Sequence, residues 1–126
     1  MEDHFTSGTF RVWSEDNPVA LVLHVTGELD LMTAPSLRLR FQQLIGRDRP
    51  IVVDFSELQY LDMAGLHVLE DCHRQAKHEG QRVLLVGSSP LVHKVLAIVQ
   101  LNERVPVVGT MEEALKAIEQ RDGDVS

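Results

Sequence analysis

Hydroxyls, thiols, imidazoles and carboxylates are the side chains that can do covalent, acid–base or metal chemistry. In this chain they are dispersed. Six histidines stand at His4, His24, His67, His73, His78 and His93. Two metal ligands four residues apart can share one helix face, and His67 with Asp71 is the best spacing of that kind. It reads as a solvated helix face rather than a metal site. The sequence holds no Walker loop, GxGxxG turn, GxSxG elbow or HExxH helix. No nucleophile–base pair is visible, so the expectation is a binding protein without a cofactor, not an enzyme. Cys72 falls on the apolar stripe of a helix and reads as a buried, inert thiol. Thr33, Ser56, Ser88 and Ser89 lie near expected loop ends. There they read as turn and cap residues, with a phosphate acceptor as the alternative. Asp30 has turn chemistry, and Asp62 stands where a helix should begin, as an N-cap worth about 1 kcal/mol.

The elements that must position these residues belong to one domain. The chain has 126 residues, 44% of them apolar, enough for one modest core without cross-links. Nineteen acids oppose twelve Lys and Arg, for a net charge of -7. That balance argues against a nucleic-acid partner, which needs clustered cations, and favours a partner with a basic face. A single cysteine excludes an internal disulfide and fits a reducing compartment. Apolar runs are too short to span a bilayer, so no membrane insertion is expected. The opening MEDHFTSGTF lacks the apolar core of a secretory leader. Together these features predict a cytoplasmic protein.

Hydrophobic periodicity sets out the elements. Residues 1–8 read as a frayed lead-in. Residues 9–14 alternate, with Phe10 and Val12 opposite Arg11 and Trp13, and predict a first strand. Residues 19–26 are β-branched and apolar and predict a central strand ended by Gly27. Thr33, Ala34 and Pro35 read as a helix start with a Thr cap, followed by Leu37, Phe41, Leu44 and Ile45 on one face. Residues 46–50 close that helix. Residues 51–55 form an almost wholly apolar run, as expected of a strand covered on both faces. Asp62 opens a helix to about Glu79, with Leu66, Leu69, Cys72 and Ala76 as its stripe. Residues 82–87 predict a strand, and Ser88, Ser89 and Pro90 a further helix start. Val92, Val95, Leu96 and Val99 stripe that helix. A short strand at 105–108 follows. Thr110 with Glu113 resembles a capping box for a last helix to about Gln120. The expected fold is α/β: one mixed, mostly parallel sheet of about five strands with about four helices, starting near residues 33, 63, 89 and 110.

Three stretches resemble the STAS family, to which the anti-sigma-factor antagonists belong. Gly27, Glu28, Leu29 and Asp30, followed by Thr33, Ala34 and Pro35, resemble its strand-to-helix junction. Val53 to Leu58, then Tyr60, Leu61, Asp62, Gly65 and Leu66, resemble its central signature. Pro90, Val95, Leu96 and Leu101 resemble its third helix and the turn after it. The resemblance implies a STAS domain over residues 8–120, with flexible termini at 1–7 and 121–126. It implies binding to a kinase-like anti-sigma factor, which releases a sigma factor and so regulates bacterial transcription. In regulated members two hydroxyl residues follow the signature aspartate, and the kinase phosphorylates one of them. Here Met63 and Ala64 stand at those positions, and neither has a hydroxyl. The resemblance thus implies a partner-binding set of Asp30, Thr33, Asp62, Met63, Ala64, Gly65 and Leu66, without phosphorylation at the usual place. Parallel strands deliver both junctions to one sheet edge, so the two motifs should be neighbours in space. A subunit of a lipid or anion transport complex and a small-ligand sensor are the alternative functions. A second copy of the chain is a further candidate partner.

Overall fold

The computed structural model describes residues 4–7, 9–87 and 89–123. Their elements run β1 (His4–Ser7), β2 (Phe10–Asp16), β3 (Leu21–Leu29), α1 (Ala34–Gln42), β4 (Ile51–Leu61), α2 (Met63–His78), β5 (Val83–Val86), α3 (Pro90–Ile98), a 3-10 turn (Leu101–Glu103), β6 (Val107–Val108) and α4 (Met111–Gly123). The strands lie in one sheet in chain order, β1 to β6. The first two pairings are antiparallel and the other three parallel. Each parallel step advances by one strand in the same direction. Crossovers of one hand therefore put α1, α2 and α3 on one face of the sheet. Leu37, Phe41, Leu66, Leu69, Val92 and Leu96 fill the core on that side. After β6 the chain returns across the other face, where Ala114 and Ile118 of α4 cover Ala20, Val22, Val52 and Leu84.

β4 explains its own composition. Val52 points to one core, while Ile51, Val53 and Phe55 point to the other. This half is flanked by β3 and β5, as the apolar run predicts. The strand then continues six residues past Phe55, paired with β3 alone. An unpaired edge tolerates polar side chains, so this half carries Ser56, Glu57, Gln59 and Tyr60 in exposed positions.

Other differences from the expectation have local causes. Residues 4–7 are not a frayed lead-in but an edge strand paired to β2, with Phe5 opposite Val12. Gly27 does not end β3. It has φ +85, and a Cβ there would lie 1.9 Å from the Thr9 carbonyl oxygen, so glycine lets the strand pass close to the neighbouring backbone. Thr33 and Ser89 occupy N-cap positions but make no side-chain cap bond. Thr110 and Glu113 do form the capping box. The Glu113 backbone N donates to Thr110 Oγ1 at 3.1 Å, and the Thr110 N donates to Glu113 Oε1 at 3.0 Å. α4 runs to Gly123, three residues beyond the expected end, and residues 124–126 of the expected tail lie outside the described residues. No helix among the described residues is long and apolar enough to cross a membrane.

Candidate functional site

The two signature stretches meet at the C-terminal ends of β3 and β4. In the parallel register Glu28 lies beside Tyr60 and Leu29 beside Leu61. The chain leaves both strands at the same level, and the Asp62 backbone N donates to the Leu29 carbonyl at 3.2 Å. The two loop-to-helix junctions are thereby tied into one surface.

In the first junction Asp30 is the organising residue. Its Oδ1 accepts from the backbone N of Met32 at 3.0 Å and of Thr33 at 3.1 Å, an Asx turn. Thr33 Oγ1 accepts from the Asp30 N at 2.9 Å and donates to the Glu28 carbonyl at 2.9 Å. Thr33 is thus buried, and its hydroxyl is consumed within the turn rather than offered to a partner. The tight turn expels the two residues between them. Leu31 is 74% exposed and Met32 84%.

In the second junction Asp62 is the N-cap of α2. Its Oδ1 accepts from the Ala64 N at 2.9 Å and the Gly65 N at 3.3 Å. Met63 is 52% exposed, and Ala64 is half-buried. Gly65 and Leu66 point inward. A Cβ at Gly65 would lie 2.6 Å from Leu29 Cγ and 2.9 Å from Leu61 Cδ1, and Leu66 belongs to the core. The absent side chain at Gly65 serves packing of α2 onto the strand ends. Of the seven expected contact residues, the geometry exposes Met63, leaves Asp30, Asp62 and Ala64 partly accessible, and buries Thr33, Gly65 and Leu66.

A groove of about 430 Å³ opens between α1 and α2, lined by Leu31, Pro35, Leu39, Ala64, His67 and Val68 among others. Leu31 and Met32 are exposed apolar residues inside the junction at residues 30–33, where sequence reasoning placed the surface, but neither they nor exposed Leu39 were named among its contact residues. The signal was the pair Leu31–Met32, two large apolar side chains inside a turn where periodicity gives them no buried place. The arrangement offers an apolar rim around a helix start. It assembles no nucleophile and base.

The remaining chemistry-bearing groups are engaged elsewhere. Asp71 pairs with Arg38 at 2.9 Å and Arg74 at 3.2 Å, and His67 lines the groove. Burial pushes the Cys72 thiol up to about 11, which keeps it protonated and unreactive. Ser56 is exposed on β4, Ser89 is half-buried ahead of α3, and Ser88 lies outside the described residues. Among the described residues no group of three or more His, Cys, Asp or Glu is placed to hold a metal ion. His24 sits on the sheet face beyond α4, with Nδ1 2.8 Å from Asp54 and Nε2 2.7 Å from Glu15.

An anti-sigma F factor antagonist of Paenibacillus polymyxa is 27% identical over 111 residues, 86% of this chain and 95% of that protein. The crystal structure of an anti-sigma factor antagonist from Mycobacterium paratuberculosis matches with a TM-score of 0.79 at 26% identity, over 86% of this chain and 92% of that one. The Bacillus cell fate determinant SpoIIAA in its phosphorylated form shares the fold, with a TM-score of 0.68 at 24% identity over 85% and 98% of the two chains. The STAS domain model matches residues 13–124, a span that holds both junctions and every helix between them. The sheet order, the capped start of α2 and this match agree, and the chain belongs to the STAS domain family.

Proposed function

We propose that this chain is an anti-sigma-factor antagonist: a cytoplasmic, non-enzymatic module that binds a kinase-like anti-sigma factor and so frees a sigma factor. Its docking face is the apolar rim formed by Leu31, Met32, Met63 and Ala64, with Asp30 and Asp62 holding the two turns beneath it. One observation carries the reading. Three large apolar side chains, each more than half exposed, surround two turns that are hydrogen-bonded into a fixed shape. Apolar surface left in water at a rigid junction is what a protein partner can bury. The similarity to antagonists across most of the chain favours an anti-sigma factor as that partner.

The same face lacks the hydroxyls on which the family's off-switch acts. A phosphate would bring nearly two negative charges to the first turn of α2, and neither Met63 nor Ala64 can accept one. The protein therefore stays competent to bind in the presence of the kinase.

The test is capture of partners on the immobilised chain from a lysate of its source organism, identification by mass spectrometry, and addition of labelled ATP. The expected result is enrichment of a histidine-kinase-like ATPase, no label on the wild-type chain, and label on Ala64→Ser. Failure to capture such an ATPase would sink the antagonist reading. Stoichiometric label on the wild type, for example at Ser56 or Ser89, would instead show that the switch had moved.

A further inference from the structure

The C-terminal half of α2 faces a cleft that the docking rim does not use. Two depressions of about 340 and 410 Å³ share His73, Lys77 and Arg104 as walls. Arg74 borders the first and Arg82 the second. Among the described residues Glu70 is the one carboxylate that lines either, and it accepts a hydrogen bond from Arg104 Nη2 at 2.7 Å. Lys77 and Arg104 thus face His73 across the cleft, Arg104 paired with Glu70 and Arg74 at the rim paired with Asp71, in a chain whose net charge is -7.

Helix chemistry accounts for part of this. A cation in the last turn, such as Lys77, complements the carbonyl end of α2. It does not account for Arg104, which arrives from the 3-10 turn, or Arg82, which arrives ahead of β5. Lys77 and Arg104, brought together from two segments, repel one another. His73 registers the repulsion: burial first, then Lys77, Arg104 and Arg74, lower its pKa. An anion in the cleft would offset those cations and favour the protonated imidazole. Lys77 offers a point charge, and Arg104 a planar fork already oriented by Glu70. A phosphate group suits this set because its oxygens accept from several directions at once.

We propose that the cleft walled by His73, Lys77 and Arg104 is a binding site for a small phosphate-bearing anion. It lies on a different part of α2 from the docking rim and does not depend on the antagonist reading.

Calorimetry with inorganic phosphate, pyrophosphate and ATP at low salt tests it, together with NMR titration of the His73 ring. Pyrophosphate should bind and raise the apparent His73 pKa, by about one unit at saturation. Lys77→Gln and Arg104→Gln should each raise its Kd about tenfold or more. Lys116→Gln on α4 should leave it unchanged. ATP binding more tightly than pyrophosphate would mark a nucleotide as the source of the phosphate. Equal affinities would mark the free anion. Thermal melts would confirm that each variant is folded, and Lys77→Gln keeps the test intact if Arg104→Gln, which strands Glu70, is not. No binding by any of the three probes would overturn the proposal. So would equal weakening by Lys116→Gln, which would mean that only overall charge is being read.

Discussion

A methyl group at Gly65 would meet Leu29 and Leu61 at 2.6–2.9 Å, distances that real Cβ contacts do not show. Both leucines are buried, so neither can swing away. Gly65→Ala should therefore destabilise the fold by about 1–3 kcal/mol through overpacking. Urea denaturation would measure it, with exposed Ala97→Gly in α3 as a comparator that tests helix propensity alone. A wild-type midpoint in Gly65→Ala would mean that α2 is not packed on the strand ends as described. Single residues also set the limit of what sequence could reveal. Asp62 was readable as a cap because its role is local: an acid one residue ahead of an apolar helical period. Thr33 looked equally like a cap, but its hydroxyl turns back to the Glu28 carbonyl. That choice depends on where β3 ends, which no local pattern states. Gly65 was counted in the partner-binding set because sequence does not show which neighbour fills the space beside it.

At the level of elements, β2, β3 and β4 are tied by one histidine. His24 and Asp54 face each other in the parallel register, and Glu15 reaches the other ring nitrogen from β2. Trp13 stacks on the imidazole at 4.9 Å. The hydrogen bond to Asp54 raises the His24 pKa above 6.5, burial opposes the shift, and Glu15 adds to it. Burial acts to raise the Asp54 pKa, but hydrogen bonds from His24 and Ser56 outweigh it, so the net shift is downward from 3.8. The signs fix a window. A raised histidine stabilises fully below pH 6.5 and loses this as pH climbs through its folded value. A lowered aspartate stabilises above 3.8 and loses this as pH falls through its folded value. The pair is therefore strongest between about pH 4 and 6.5. His73 is shifted the other way, so the clean readout is the difference between wild type and His24→Asn. That difference in urea midpoint should be large near pH 5.5 and shrink by pH 8.5. A constant difference would mean that His24 contributes through packing alone. Sequence reading found β3 and β4 but not this pair, because register across a crossover depends on both strands at once. It found half of β4 for a related reason: a strand paired on one side loses the apolar pattern that marks it.

On the scale of the whole molecule, the order of strands and helices was legible because every apolar stripe has one place to go. The adjacency of the two junctions was legible too, since parallel strands end at a common edge. The shape of the surface there was not. The rim of Leu31, Met32 and Met63 exists because two turns expel these side chains while Thr33, Gly65 and Leu66 are drawn inward. Ala64 stands at the boundary, half-buried on α2 and open to the groove against α1. A carboxylate at that position has room to lie in the groove, and acids near a helix N-terminus are mildly favourable, by roughly 0.3–1 kcal/mol. Ala64→Glu should therefore fold normally. It should weaken docking, because a partner that buries the rim would leave the new charge desolvated and unpaired. The central claim is that this rim binds an anti-sigma factor, and calorimetry with the captured ATPase tests it most directly. The account predicts that Ala64→Glu loses about 2–5 kcal/mol of binding free energy. Glu119→Gln, exposed on α4, should bind like wild type, and both variants should melt with it. Wild-type affinity in a folded Ala64→Glu would contradict the assignment of this face as the interface.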